Sequence, residues 1–465
     1  MSIRRTLGVA AFVAVALRAL PAAAQPAGAP PPPRTVTLEN GFQVIVAENH
    51  SAPLATAKVV VRTGAMTQEA DDQGVPHLFE HMLFKGYRGA GQRPFASEAA
   101  ELQAGYNGTT SEELVTYYLT LPSDGTERSI HLLADLVREA EFRDDDLRTE
   151  RFVVLGEMQR DNSDPHDALR RGIAERLWGD GWSRKNAIGD EMSLMSVTPK
   201  RLGEIYQRWY VPNNAALVVT GDVSADAVVE AARKHFGGWK ARPDPFASHP
   251  VPEPPPLAKS EAVLLDGDAS TVTVELQWQG PSVRASASDT YDADVLSDVL
   301  NDPESGFMQR LVDGGAFQSA RVGYETLVHG GPITFVGTTT PAQLAGALTV
   351  LSGEFAMMRA DEYFDPRALA AAAKRRRVEQ SFEREEGVTL AHSLAYAWAV
   401  TGLAYHASYA DSLARRRPQD LTRFVSRYLV GRPFVVGVLA PPGKRQEIAP
   451  MIEQFVEFMQ PEEKK

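Results

Sequence analysis

A proline-rich segment near the middle of the chain limits the possible folds more than any other feature of the sequence. Between Trp239 and Lys259 there are seven prolines, at positions 243, 245, 250, 252, 254, 255 and 256. Helix interiors and central strands exclude proline, because it has no backbone N–H and its ring fixes φ. We therefore expect a linker over residues 241–258, between one domain at 35–240 and another at 259–460. The length of 465 residues also exceeds what one hydrophobic core usually organises.

The two regions share a pattern near their ends. At a constant offset of 219 positions, Pro199, Leu202, Arg208 and Val211 fall opposite Pro418, Leu421, Arg427 and Val430. In both regions this predicted helix is followed by an apolar predicted strand and by a last helix. The pattern favours a duplicated α/β unit and hence an α+β fold. Two unrelated domains that share one local pattern are the alternative.

The first 24 residues have the composition of a secretory signal peptide. Two arginines are followed by an apolar stretch, and Ala22 to Ala24 provides the small residues of a cleavage site. The apolar stretch is short and is interrupted by Arg18 and Pro21, so we expect no stable membrane span. Residues 25–34 are rich in proline and alanine and are predicted to form a tether. The predicted location is the periplasm in a Gram-negative bacterium, or otherwise the extracellular space.

Composition excludes several kinds of site. The chain has no cysteine, which excludes disulfides, thiolate metal ligands and cysteine nucleophiles. A zinc site in this chain must therefore use histidines and carboxylates. The formal net charge of −12 argues against general nucleic-acid binding, because that function needs basic surface opposite the phosphates.

The strongest chemical motif is the segment from His77 to His81, which reads H-L-F-E-H. On a helix His77 and His81 share one face, with Glu80 beside them. Two imidazoles at this spacing can bind one zinc ion, and a carboxylate next to them can take a proton from a metal-bound water. The motif therefore suggests a hydrolase. The alternative is a core helix whose histidines are only hydrogen-bonded.

A third ligand is needed, because catalytic zinc usually has three protein ligands and one exchangeable position. Glu157 is the candidate, since it lies in a helix predicted over Asp144 to Arg160 and is flanked by apolar residues that make an unpaired carboxylate costly. A salt bridge would also remove that cost. Glu150 lies seven residues earlier on the same side of this helix, so it is a candidate for steadying a ligand or helping proton transfer.

Together these residues resemble the pitrilysin family, the inverzincin metallopeptidases related to insulin-degrading enzyme and the mitochondrial processing peptidase. The resemblance implies one Zn²⁺ per chain, bound by His77, His81 and Glu157. It implies that Glu80 is the general base and that Glu150 is a second functionally important glutamate, which we count with the catalytic residues.

The resemblance covers most of residues 35–240. The stretch from Asn107 to Ser111 is similar to a family segment whose asparagine and neighbouring strand contact the substrate backbone, although a glycine stands here at position 108 where alanine is usual. The resemblance therefore implies substrate binding by Asn107, Gly108, Thr109 and Thr110. It also implies two homologous α/β-sandwich domains of the pitrilysin type, the second without a metal motif, in a dimer that encloses a chamber.

The second region departs from the family pattern. Many self-sufficient members carry an arginine and a tyrosine in a segment like R-G-L-A-Y, where the pair binds substrate and stabilises the reacting carbonyl. The corresponding stretch from Asp313 to Ser319 has neither residue, and Arg321 and Tyr324 just downstream are candidate substitutes. Without them, the resemblance implies a heterodimer in which a zinc-free homologous subunit supplies the pair. A homodimer is the alternative.

The sequence thus predicts a zinc-dependent endopeptidase that hydrolyses peptides or unfolded segments inside a dimeric chamber. A non-catalytic scaffold or a peptide-binding subunit of a larger assembly is the alternative function.

Overall fold

The computed structural model describes residues 32–87 and 94–460. The predicted signal peptide and most of the predicted tether lie outside these residues. Within them, none of the helices has both the length and the apolar character needed to cross a bilayer.

The first half of the chain forms one six-stranded sheet with its helices. Its strands are β1 (Arg34–Thr37), β2 (Gln43–Glu48), β3 (Leu54–Val61), β4 (Gly105–Thr110), β5 (Val115–Pro122) and β6 (Ala215–Gly221). Its helices are α1 (Val75–Lys85), α2 (Phe95–Glu101), α3 (Thr126–Arg138), α4 (Asp144–Ser163), α5 (Pro165–Trp178), α6 (Glu191–Ser196), α7 (Pro199–Trp209), α8 (Ala225–Phe236) and the short α9 (Pro245–Ser248).

The second half forms a five-stranded sheet with its own helices. Its strands are β7 (Glu261–Asp266), β8 (Val272–Gln279), β9 (Ser319–Tyr324), β10 (Pro332–Thr339) and β11 (Val435–Ala440). Its helices are α10 (Ala287–Leu300), α11 (Gly306–Met308), α12 (Leu344–Met357), α13 (Pro366–Glu385), α14 (Gly387–Tyr396), α15 (Leu403–Leu413), α16 (Pro418–Tyr428) and α17 (Arg445–Met459).

Five strands of the first sheet have the same topology as the second sheet, and β1 is an additional edge strand. The strand order is β1-β2-β6-β3-β5-β4 in the first and β7-β11-β8-β10-β9 in the second. Each contains one parallel pair, β2 with β6 and β7 with β11, and the other neighbours are antiparallel. Helices α7 and α16 begin at Pro199 and Pro418, which is the offset found in the sequence. The α+β fold with two homologous halves is therefore confirmed.

One helix of each half packs on the sheet of the other half. Helix α5 belongs to the first half, yet its buried Leu169 and Ile173 form a cluster with Val435 on β11. Conversely, Leu390 and Leu394 of α14 pack on the outer face of the first sheet. Because separating the halves would expose both apolar clusters to water, this exchange holds their relative orientation.

The proline-rich segment is packed against both halves. Its short helix α9 begins with Pro245 in the first turn, where proline needs no N–H partner, and Phe246 contacts Trp209 with ring centroids 5.1 Å apart. Farther along, the backbone N–H of Leu257 donates to Gln279 Oε1 at 3.0 Å. The segment thus crosses between the sheets in a defined position.

Candidate metal centre

Helix α1 presents the H-x-x-E-H motif on the side that faces away from its own core. Leu78, Phe79 and Met82 are buried in the core of the first half. This packing leaves the side chains of His77 and His81 on the opposite side, 17% and 15% exposed. Both imidazoles are therefore held on a rigid helix at the edge of solvent.

The start of α1 is held by a close backbone crossing. Gly74 precedes the helix with φ of 83°, and Gly189 lies against it with φ of 84°. A Cβ on Gly189 would lie 2.3 Å from the Cα of Gly74, so only glycine fits. Gln68 fixes the same point, because its Oε1 accepts from the Gly74 N–H at 2.7 Å and its amide donates to the Asn186 carbonyl at 3.0 Å.

Helix α4 supplies the carboxylates. Three aspartates in its first turn, at positions 144 to 146, stabilise the helix because their negative charges lie at the positive end of the helix dipole. Buried Val154 and Met158 pack into the core of the first half, where α4 lies against α1. This packing directs Glu150 and Glu157 toward the two histidines.

The three candidate ligands converge. Glu157 Oε2 lies 3.6 Å from the Nε2 atoms of both His77 and His81. Ligand atoms about 2 Å from a tetrahedral metal ion are about 3.4 Å apart, so these separations fit zinc. Within residues 32–87 and 94–460 this is the only group of three histidines or carboxylates close enough to bind one ion.

The two histidines differ in their surroundings. Burial, together with the charge of His81, lowers the pKa of His77 to about 4, so this imidazole is neutral and able to bind a cation. Its Nδ1 atom is buried and has no hydrogen-bond partner in the described part of the chain. For His81, the Nδ1 atom lies 3.2 Å from Glu150 Oε2, which directs Nε2 toward Glu157.

Glu150 lies behind His81 and away from the open side of the site. Its side chain is only 4% exposed, and its second oxygen, Oε1, is 3.0 Å from Lys85 Nζ. A carboxylate that contacts the outer nitrogen of a ligating histidine fixes the tautomer and the orientation of the ring. The structure therefore favours a positioning role for Glu150 over a direct catalytic role.

The side chain of Glu80 extends from α1 toward the strand β4. The hydroxyl of Thr110 donates to Glu80 Oε2 at 2.8 Å. A Cβ on Gly108 would lie 2.8 Å from Oε1 and 2.6 Å from Cγ, so the glycine makes room for this carboxylate. Burial raises the pKa of Glu80, while the hydrogen bond from Thr110 opposes that effect.

Strand β4 is the last strand of the first sheet, and within residues 32–87 and 94–460 it pairs only with β5, which leaves its other edge free of any described strand. Its residues divide between the two faces of the sheet. Gly108 and Thr110 contact Glu80, whereas the hydroxyl of Thr109 lies 2.7 Å from that of Thr116. Asn107 is exposed, and its Oδ1 accepts from the N–H of Gly108. The four predicted substrate-binding residues are thus on one edge strand, but only two adjoin the candidate base.

Arg321 and Tyr324 lie in the other half of the molecule, on the outermost strand β9. Arg321 is exposed, and the hydroxyl of Tyr324 donates to the carbonyl of Pro281 at 2.8 Å. The tyrosine hydroxyl is therefore already engaged.

In the second half, helix α10 lies beside β9 in the same way that α1 lies beside β4. It carries no histidine. Two of its carboxylates are paired with arginines: Asp292 is 3.2 Å from Arg416, and Asp298 is 2.6 Å from Arg376. Asp294 on the same helix instead accepts a hydrogen bond from the hydroxyl of Tyr409. Within the described residues, no three histidines or carboxylates of the second half lie close enough together to bind one metal ion.

Sequence reasoning missed Lys85 and Gln68. Lys85 follows His81 by four residues on the same helix face, and this spacing could have indicated its contact with Glu150. Nothing in the local sequence around Gln68 indicates its role, because its partners at Gly74 and Asn186 are brought together only by the fold.

Comparison with known proteins gives two family matches. Residues 43–188 match the family described as insulinase (peptidase family M16), and residues 196–375 match the domain described as peptidase M16 inactive domain. The second description agrees with the absence of a histidine pair from α10.

Individual relatives agree with these matches. The chain is 25% identical over 252 residues to a probable mitochondrial-processing peptidase subunit beta from Arabidopsis thaliana, covering 54% of this chain and 48% of that protein. It is 25% identical over 323 residues to the zinc protease PqqE from Helicobacter pylori, covering 67% and 70% of the two chains. The chain spans about half the length of several curated relatives that it matches, including the plant subunit.

A crystal structure of a protease from Helicobacter pylori has the same fold, with a TM-score of 0.79 and 20% sequence identity. The similarity covers 89% of this chain and 100% of the other.

Proposed function

The chain belongs to the M16 peptidase family, and on that premise we propose that it is a zinc-dependent endopeptidase whose metal is held by His77, His81 and Glu157. The observation that carries the proposal is the convergence of these side chains, with Glu157 Oε2 at 3.6 Å from both Nε2 atoms. Zinc at this position would lower the pKa of a bound water and polarise a substrate carbonyl.

Glu80 is the proton carrier in this proposal. Its Oε2 is held by Thr110, and the described residues give Oε1 no comparable hydrogen bond. Oε1 can therefore take a proton from the attacking water and return it to the leaving amine nitrogen. Glu150 acts through His81, whose ring it orients at 3.2 Å.

The free edge of β4 is the proposed substrate site. An extended peptide can add to an exposed sheet edge through backbone hydrogen bonds, which tolerate many side chains. Such a peptide would run along Asn107 to Thr110 and pass beside Glu80, because Gly108 and Thr110 both adjoin that residue. This arrangement suits peptides or unfolded segments, because their backbone groups are free to pair with a strand edge, whereas most backbone groups of a folded protein are already hydrogen-bonded.

The proposed site still lacks the arginine and tyrosine that, in many family members, bind substrate and stabilise the reacting carbonyl. The hydroxyl of Tyr324 donates a hydrogen bond to the carbonyl oxygen of Pro281, and Arg321 lies on a strand of the other half. We therefore propose that a homologous zinc-free subunit provides the pair within a heterodimeric chamber, after export of this chain. Activity should rise when the purified chain is combined with such a partner. Full activity of the isolated chain would contradict the heterodimer but not the zinc chemistry.

Substitution of Glu80 tests the catalytic assignment. Glu80→Gln should retain one zinc per chain and lose about 10²- to 10⁴-fold in kcat, the usual contribution of a general base. Glu453→Gln, on the exposed surface of α17, is the matched control and should leave both properties unchanged. Cleavage is measured on unstructured peptides by mass spectrometry, and zinc by elemental analysis. Unchanged turnover of Glu80→Gln would refute the assignment, whereas absence of both zinc and cleavage in the parent protein would favour the scaffold function.

A further inference from the structure

A cavity lies between the two halves, and the candidate zinc ligands do not line it. Its volume is about 670 Å³, within the range of small-molecule sites. One wall is the outer face of the first sheet, and the other comes from α10 and α13 to α15 of the second half. Thr109, Glu325 and Glu379 line it and are exposed, so it reaches solvent beside strand β4.

The wall from the first sheet carries a buried lysine. Lys58 is only 2% exposed, in the middle of β3, where its neighbours in sequence are apolar. Its Nζ atom lies 2.5 Å from His392 Nδ1 and 4.9 Å from the ring centre of Tyr118. Within the described residues no carboxylate forms an ion pair with it. Burying an ammonium group without an anion beside it is costly, and this burial lowers the pKa of Lys58 to about 7.

The wall from the second half carries a carboxylate, Asp294, that forms no ion pair among the described residues. Asp294 accepts one hydrogen bond, from the hydroxyl of Tyr409 at 2.9 Å. The charge of Arg376 acts on Asp294, but its hydrogen bonds go elsewhere, because two of its nitrogens bond Asp298 and a third bonds Glu379. Burial raises the pKa of Asp294 to about 7.

Among the other charged groups that line this cavity, Glu379 is paired with Arg376, Glu383 lies 3.5 Å from His406, and Glu325 is at the exposed mouth. Lys58 on one half and Asp294 on the other thus have no ion-pair partner among the described residues, and they do not pair with each other. A ligand that carries both charges would satisfy both groups at once. We propose that this cavity binds a small zwitterion, of the size of a dipeptide or tripeptide with free termini, with its carboxylate on Lys58 and its ammonium group on Asp294. Hydroxyl groups of Thr116, Ser393 and Tyr405 also line the cavity and can bond the peptide units between the ends.

Calorimetric titration of the full chain tests this proposal. The probe is L-alanyl-L-alanyl-L-alanine, and the protein carries Glu80→Gln so that the probe is not consumed. We expect saturable binding of one tripeptide per chain. Adding Lys58→Met or Asp294→Asn should each weaken it about ten- to hundredfold, the value of one hydrogen bond to a charged group. Lys444→Met, on the exposed surface, is the matched control for the lost charge and should bind normally.

Two further measurements locate the site. N-acetylation or C-terminal amidation of the probe should each weaken binding at least tenfold, because each removes one terminal charge. Adding His81→Ala should leave the affinity unchanged, since the zinc ligands do not line the cavity. Circular dichroism checks that each variant is folded, and Asp294→Asn still tests the site if Lys58→Met does not fold. Absence of binding, indifference to both cavity variants, or loss of binding in His81→Ala would overturn the proposal.

Discussion

Replacing Glu150 by glutamine probes how the candidate zinc site is held together. Glu150 contacts His81 Nδ1 at 3.2 Å and Lys85 Nζ at 3.0 Å, and it touches none of the open side of the site. Glutamine has almost the same shape and can still accept a hydrogen bond from the imidazole. It cannot polarise the ring as a carboxylate does, so His81 should become a weaker ligand.

The expected magnitude follows from these contacts. Loss of an outer partner of a ligating histidine costs about 10- to 100-fold in metal affinity. Glu150→Gln keeps the contact and should lie near tenfold, which corresponds to about 1.4 kcal/mol, whereas Glu150→Leu removes it and should lie near 100-fold. Stability of the metal-free fold should change by less than about 1 kcal/mol in the glutamine variant, because Lys85 is 48% exposed and its ion pair is worth little.

The assay is zinc competition with a chelator, run beside urea denaturation of the metal-free protein. Glu230→Gln, which changes an exposed helix pair with Arg233, is the matched control. A graded loss of affinity in the order parent, glutamine, leucine supports the positioning role. Zinc dissociation constants within twofold of the parent for both variants would refute it, as would a loss of affinity that merely tracks a loss of fold stability.

Three further substitutions test other parts of the fold. Gly189→Ala should lower stability by about 1–3 kcal/mol and weaken zinc binding, because its Cβ would lie 2.3 Å from Gly74 Cα at the start of α1; a parent-like melting temperature would contradict this. Leu394→Ala in the exchanged helix α14 should cost about 2–5 kcal/mol in urea denaturation, since Leu394 is 1% exposed; a cost below 1 kcal/mol would refute its role in joining the halves. Lys58→Met should raise stability by a few kcal/mol at or below pH 7, because the folded state depresses the pKa of this lysine from 10.5 to about 7 and the unfolded chain holds more protons between those values. That gain should shrink as pH rises from about 7 to about 10, and a gain independent of pH would contradict the reasoning.

The two halves share an architecture but differ in the residues that their corresponding helices carry. Both halves place a helix beside the free edge of a sheet, α1 beside β4 and α10 beside β9. In α1 the side that faces away from the core carries two imidazoles, whose neutral nitrogens can bind a cation. In α10 no histidine is present, and Asp292 and Asp298 are paired with Arg416 and Arg376.

Much of the candidate site was predictable from local sequence. The spacing of His77 and His81 determines that they share a helix face, and the same rule places Glu150 and Glu157 on one side of α4. The repeat at 219 positions was equally local, since it depends on one helix and one strand in each half. Periodicity carries such information because it depends only on residues within a few turns of each other.

Tertiary structure decided everything that joins distant parts of the chain. It placed Glu157 at 3.6 Å from both imidazoles, put Glu150 behind His81 rather than in the open site, and divided Asn107 to Thr110 between two faces of a strand. It also exchanged α5 and α14 between the sheets and enclosed Lys58 and Asp294 in one cavity. These arrangements depend on which apolar faces pack together across hundreds of residues, and no single segment of the sequence encodes that choice.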